Sequence, residues 1–147
     1  MILRIAALGA LLLVGSVLAD DEASRAKLMG SWQQSDGSKD AVWTIQEKAD
    51  ILHITNAVGA RAIAEFDCDS FGHECAIKDA GRPAKVSLWY SGPKLVEMET
   101  KGSYVWRRTF VVTGEGDTLE LEVAQIAPAP KTETQHFKRL PAATEAH

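Results

Sequence analysis

From Gly30 to Leu140 the chain alternates apolar and polar residues with a period of two, and turn residues interrupt the alternation at short intervals. Asp36-Gly37, Gly59, Gly92-Pro93, Gly102-Ser103 and Gly114-Glu115-Gly116-Asp117 are the clearest of these breaks. They leave room for hairpins but not for the helical crossovers of ten or more residues that parallel strands require. The chain therefore reads as all-β, an antiparallel meander of short strands. A meander of this length removes its unpaired edges by closing on itself. The expectation is one up-and-down barrel of about eight to nine strands, with a β-sandwich as the alternative architecture.

The alternation also divides each strand into two faces. Trp43 and Ile45 share one face of Ala41–Glu47, and Ala62, Ala64, Phe66 and Cys68 share one face of Ala60–Cys68. Val86, Leu88 and Tyr90 lie together on Lys85–Ser91, as do Leu119, Leu121 and Val123 on Thr118–Ile126. On Lys94–Lys101 the apolar Val96 and Met98 are assigned to the interior and Glu97, Glu99 and Lys101 to solvent; Glu120 and Glu122 are read as solvent-facing too. Glu74–Lys78 is a short strand after a cysteine-containing loop. The one helical stretch is Asp21–Met29, where Ala23 and Ala26 favour helix, Asp20, Asp21 and Glu22 suit its N-terminal end, and Gly30 stops it.

Residues 1–19 have the parts of a cleavable export signal: Arg4, an apolar run from Ile5 to Val14, and the small-residue site Val17-Leu18-Ala19 before Asp20-Asp21. That run is shorter than the roughly 20 residues needed to span a bilayer, so stable membrane insertion after cleavage is not expected. The expected organisation is a signal at 1–19, one domain at 20–140 and a flexible tail at 141–147, in a secreted or periplasmic protein. The whole chain has 16 Lys and Arg against 20 Asp and Glu. Such an acidic balance disfavours nucleic acid as a partner.

Two cysteines remain after cleavage, Cys68 and Cys75. In an oxidising compartment an even pair reads as a disulfide. The competing reading is a metal site of Cys68, His73 and Cys75, which lacks a fourth ligand and a zinc-like spacing. The acidic residues around this loop, Glu65, Asp67, Asp69 and Glu74, could offer oxygens to calcium, but their spacing is not that of a calcium loop and a solvated acidic turn is the simpler reading.

Gly30-Ser31-Trp32 at the start of the first strand, after a short helical turn, resembles the Gly-x-Trp signature of the lipocalins and related calycin-type barrels. Arg139, close to the end of the last strand, stands where many of those proteins carry an Arg that packs over the Trp. The resemblance implies that Trp32 and Arg139 close one end of a barrel by a cation–π contact, with the other end open to a ligand.

The candidate ligand site is the face carrying Tyr90, Met98, Tyr104, Trp106, Arg108 and Phe110. Turned inward, it would join aromatic surface to a buried cation and suit a small apolar ligand, or one bearing a carboxylate. The alternative is a filled core in which Arg108 sits at a rim or pairs with a glutamate, since small barrels have interiors barely wider than their side chains. Trp89, between polar neighbours, points to a second possible use of the chain, a contact surface for an extracellular protein partner such as an enzyme to be inhibited. No Gly-x-Ser-x-Gly or His-Glu-x-x-His motif occurs, His53 reads as a half-buried packing residue, and neither catalysis nor a cofactor is expected.

Overall fold

The computed structural model describes residues 14–141; of residues 14–19 only the backbone is described. Most of the expected signal and nearly all of the expected tail lie outside the described residues. Helix α1 (Val14–Ala26) leads into ten strands: β1 (Gly30–Gln34), β2 (Ala41–Lys48), β3 (Ile51–Val58), β4 (Arg61–Asp69), β5 (Phe71–Asp79), β6 (Arg82–Ser91), β7 (Lys94–Lys101), β8 (Tyr104–Thr113), β9 (Thr118–Ala127) and β10 (Lys131–Arg139). Every pairing is antiparallel, and the order around the sheet is β4-β3-β2-β1-β10-β9-β8-β7-β6-β5.

The all-β antiparallel barrel is therefore present, with ten strands rather than eight or nine. The chain after the cysteine loop supplies a full strand instead of the short Glu74–Lys78. β5 pairs with β6 from Phe71 to Asp79, with a register shift between Phe71 and Glu74 that let its first part pass for loop.

β4 and β5 stand at opposite ends of the sheet order and form no ladder with each other. The cylinder closes there through the Cys68–Cys75 disulfide, whose Cα atoms lie 6.0 Å apart. With both sulfurs bonded to each other, the Cys68-His73-Cys75 metal alternative falls.

The helix differs from the Asp21–Met29 expectation at both ends. Its backbone is already helical at Val14, across the expected cleavage site, so Asp20 to Glu22 lie inside it rather than at its N-terminus. Beyond Ala26 the chain tightens, the N–H of Leu28 donating to Arg25 O (3.0 Å) and that of Met29 to Ala26 O (3.2 Å). Gly30 is then free to open β1. It has φ +126°, and a Cβ there would meet Arg139 Nη1 at 2.8 Å. Only glycine accepts that backbone angle together with so close a guanidinium.

In a meander the connections alternate between the two ends of the barrel. The turns at 49–50, 70, 92–93 and 114–117 lie at the end covered by α1, the helix end, and the connections at 35–40, 59–60, 80–81, 102–103 and 128–130 lie at the opposite, open end. The core fills the helix end and middle of the barrel. Leu28, Trp32, Ile45, Leu52, Phe110 and Phe137 are all without solvent exposure. Trp32 is held on both sides: its indole N–H donates to Leu28 O (2.9 Å), and the Arg139 guanidinium lies 4.1 Å from its ring centroid. Arg139 in turn donates to the carbonyls of Met29 (2.7 Å), Lys27 and Gly116 (3.1 Å), tying the α1–β1 link and the β8–β9 turn over the end of the barrel.

Candidate functional site: a charged cluster beneath an aromatic mouth

β7 and β8 form a hairpin across Gly102-Ser103, with Lys101 opposite Tyr104, Glu99 opposite Trp106 and Glu97 opposite Arg108. Residues directly opposite one another share a face. Glu97 and Glu99 are accordingly buried inside the barrel, 1 % and 3 % exposed, alongside Trp106 and Arg108. This corrects the solvent assignment of Glu97, Glu99 and Lys101. It also corrects Met98, which lies opposite Ser87 and Arg107 and takes the outer face with Val96, packed among outward neighbours.

Arg108 Nη1 donates to Glu97 Oε1 at 2.5 Å and to Glu99 Oε1 at 2.9 Å. Its guanidinium lies 5.7 Å from the Trp43 ring centroid and 5.6 Å from that of Trp106. Burial pulls the Arg108 pKa down, but the two carboxylates outweigh it and raise it above the ordinary arginine value. Asp79, near the end of β5, joins the group through Lys101 Nζ at 3.3 Å. Burial, and then the Asp79 carboxylate, push Glu99 up to about 7 despite Arg108. Burial alone would raise Asp79, yet a hydrogen bond from protonated Glu99 and the ammonium of Lys101 hold it below its usual range. Arg108 occupies Glu99 Oε1, which leaves the buried Oε2 for the proton shared with Asp79.

Above this cluster the barrel opens into a recess of about 700 Å³, lined by Arg82, Pro83, Lys101, Ser103, Tyr104 and Trp106. Tyr104 and Trp106 stack, their ring centroids 5.4 Å apart and their planes within 10°. Lys101 Nζ lies 5.6 Å from the Trp106 centroid, so Lys101 and Trp106 border both the recess and the charges beneath it.

The sequence-derived ligand face is thus divided. Tyr104, Trp106 and Arg108 come together at the open end, with Arg108 already paired by two glutamates rather than free for a carboxylate. Tyr90 sits at the helix end, where its hydroxyl donates to Glu47 (3.0 Å) and the Arg25 guanidinium lies 4.7 Å from its ring. Burial and then Glu47 raise the Tyr90 pKa. Trp89 is half-buried on the outer wall, opposite Phe71 and Val96, and Phe71 is 65 % exposed. The residues weighed for calcium are engaged elsewhere. Glu65 and Asp67 flank His53 (3.1 and 2.5 Å), Asp69 meets His73 (2.9 Å) and Glu74 meets Lys85 (3.3 Å).

Asp79, Glu97, Glu99, Lys101 and Arg82 were not among the expected site residues. The signal for Glu97 and Glu99 was nonetheless present. A two-residue turn at Gly102-Ser103 places them opposite Arg108 and Trp106, so the two strands' face assignments could not both hold.

No family model matches the chain, and no curated protein sequence matches it. Among solved structures, similarity extends over most of the barrel. A secretory abundant heat soluble protein 4 from Ramazzottius varieornatus superposes with a TM-score of 0.64 at 16 % identity, over 78 % of this chain and 96 % of that one. A Schistosoma mansoni fatty acid binding protein in complex with arachidonic acid gives 0.62 at 19 % identity, over 80 % and 99 %. Fatty-acid-binding protein 1 of Echinococcus granulosus gives 0.66 at 9 % identity, over 79 % and 99 %. The chain shares with them the fold of an antiparallel β-barrel of ten strands.

Proposed function

We propose that this protein is an exported, non-catalytic carrier that holds a small apolar or amphipathic molecule at the open end of its barrel. The observation carrying this reading is the recess of about 700 Å³ whose wall is the stacked Tyr104–Trp106 pair. Its size and its mixture of aromatic surface with a few polar groups suit a small molecule. Barrels of the same fold include proteins named for fatty-acid binding, which supports a lipid-like ligand here. Export rests on the signal features of residues 1–19.

The test is native mass spectrometry of protein purified from its own source, with Nile red titration of the emptied protein. A retained small molecule, or Nile red binding weakened about tenfold or more by Trp106→Ala, is the expected result. No retained molecule and no Nile red binding overturn the reading. A second use, contact with an extracellular protein, is favoured by one feature: exposed Phe71 opposite Trp89 on the outer wall.

A further inference from the structure

The recess at the open end is walled by flat surfaces. Tyr104 and Trp106 stack with their planes within 10°. Stacking covers only one face of each ring, and Tyr104, which lines the recess, is 45 % exposed. Pro83 adds a rigid ring to the same lining. Arg82 adds a planar guanidinium; it is exposed and belongs to no ion pair among the described residues. Among the described residues, no Leu, Ile, Val or Met lines the recess.

The floor of the recess is closed. Glu97 and Glu99 are buried and paired with Arg108 at 2.5 and 2.9 Å. The Arg108 guanidinium also lies near Trp43, which meets Phe110 edge-on with centroids 5.1 Å apart. Phe110, Leu88 and Leu95 have no solvent exposure. An extended chain could go deeper only by parting buried ion pairs or displacing close-packed core, and both are costly.

On the carrier reading above, on which this step rests, we infer that the ligand is a flat fused-ring molecule that extends the Tyr104–Trp106 stack in the mouth, and not an extended acyl chain threaded down the barrel. A ring laid against Tyr104 gains offset stacking in addition to burial. A guanidinium lining the same recess can stack on an aromatic ligand as well. A flexible chain gains neither contact and gives up its torsional freedom on binding. The selection is made by shape, so the ring preference holds for a hydroxyl-bearing and for a carboxylate-bearing ligand alike.

The experiment is calorimetric titration of the full protein with two pairs of probes, each matched in polar group: anthracenemethanol against dodecanol, and anthracenecarboxylate against dodecanoate. The ring member of each pair should bind at least about tenfold tighter. Its ring protons should shift upfield in the nuclear magnetic resonance spectrum of the complex, as they do over an aromatic face. Tyr104→Leu keeps an apolar side chain at an exposed position but removes the flat face. It should weaken both ring probes by about fivefold to tenfold and leave the chain probes within about twofold. A chain probe binding as tightly as its ring partner overturns the inference and leaves the carrier reading standing. Ring probes indifferent to Tyr104→Leu overturn it too. Failure of all four probes to bind overturns both. The comparison within each pair on the unmodified protein decides the matter even if Tyr104→Leu does not fold.

Discussion

Replacing Arg108 with Met would expose the energetics of the interior charges. The Arg108 side chain is 15 % exposed, and its Nη1 is shared by Glu97 and Glu99, whose side chains are 1 % and 4 % exposed. Met roughly keeps the apolar stem between Trp43 and Trp106 but removes the only donor among the described residues that those two carboxylates have in common. Breaking a buried pair from one side costs about 3–5 kcal/mol, because a charge is left without compensation. A domain of this size has about 5–15 kcal/mol in all, so the variant should be close to unfolding. Part of the penalty belongs to ionised Glu99, so it should be largest at about pH 8 and should shrink towards about pH 5 as Glu99 takes up its proton. The triple variant Arg108→Met, Glu97→Gln, Glu99→Gln removes all the charges together and should recover most of the loss. Urea unfolding followed by tryptophan fluorescence and far-ultraviolet circular dichroism measures each of these. An Arg108→Met protein within about 1 kcal/mol of the parent at both pH values would refute the argument, because ordinary surface substitutions do no more than that.

Further outcomes follow from other parts of the fold. Trp32→Ala should cost about 3–5 kcal/mol in urea unfolding, because it empties a fully buried aromatic position and strips Arg139 of its platform. Cys68→Ser with Cys75→Ser should cost about 2–3 kcal/mol from loop-closure entropy alone, and alkylation without reductant should leave the mass of the parent unchanged. Glu99 has a folded pKa of about 7 against an ordinary 4.5, so its contribution to stability is complete below 4.5 and is lost as pH rises through about 7. Stability measured across that window should decline, and Glu99→Gln should flatten the decline. Asp36 has the opposite sign: the backbone N–H and then the ring of His136 hold it down to about 2 from 3.8, so its small contribution should disappear only as pH falls from 3.8 towards 2, and Asp36→Asn should remove that acid-side slope.

Much of the framework could be read directly. The strand segments, the antiparallel meander and the Cys68–Cys75 bridge follow from period-two alternation, short turns and an even cysteine pair. The inward positions of Trp43, Ile45, Val86, Leu88, Leu119 and Leu121 follow from hydrophobicity. β7 is the exception, because its alternation allows either face to be inside. Val96 and Met98 are apolar, and carboxylates ordinarily go to water. Burying Glu97 and Glu99 is tolerable only because Arg108 stands directly across the hairpin, and that fact belongs to the pair of strands rather than to either one.

The same distinction holds for the molecule as a whole. Local sequence determined where strands begin and turn, because side-chain alternation and glycine placement act over a few residues. Tertiary structure decided which face of β7 is inside, that Tyr90 and Trp106 belong to opposite ends, and that Asp79 on β5 meets Lys101 and Glu99 on β7. Alternation leaves two equivalent choices for each strand. Only the register with its neighbours, imposed by closing the barrel, selects one of them.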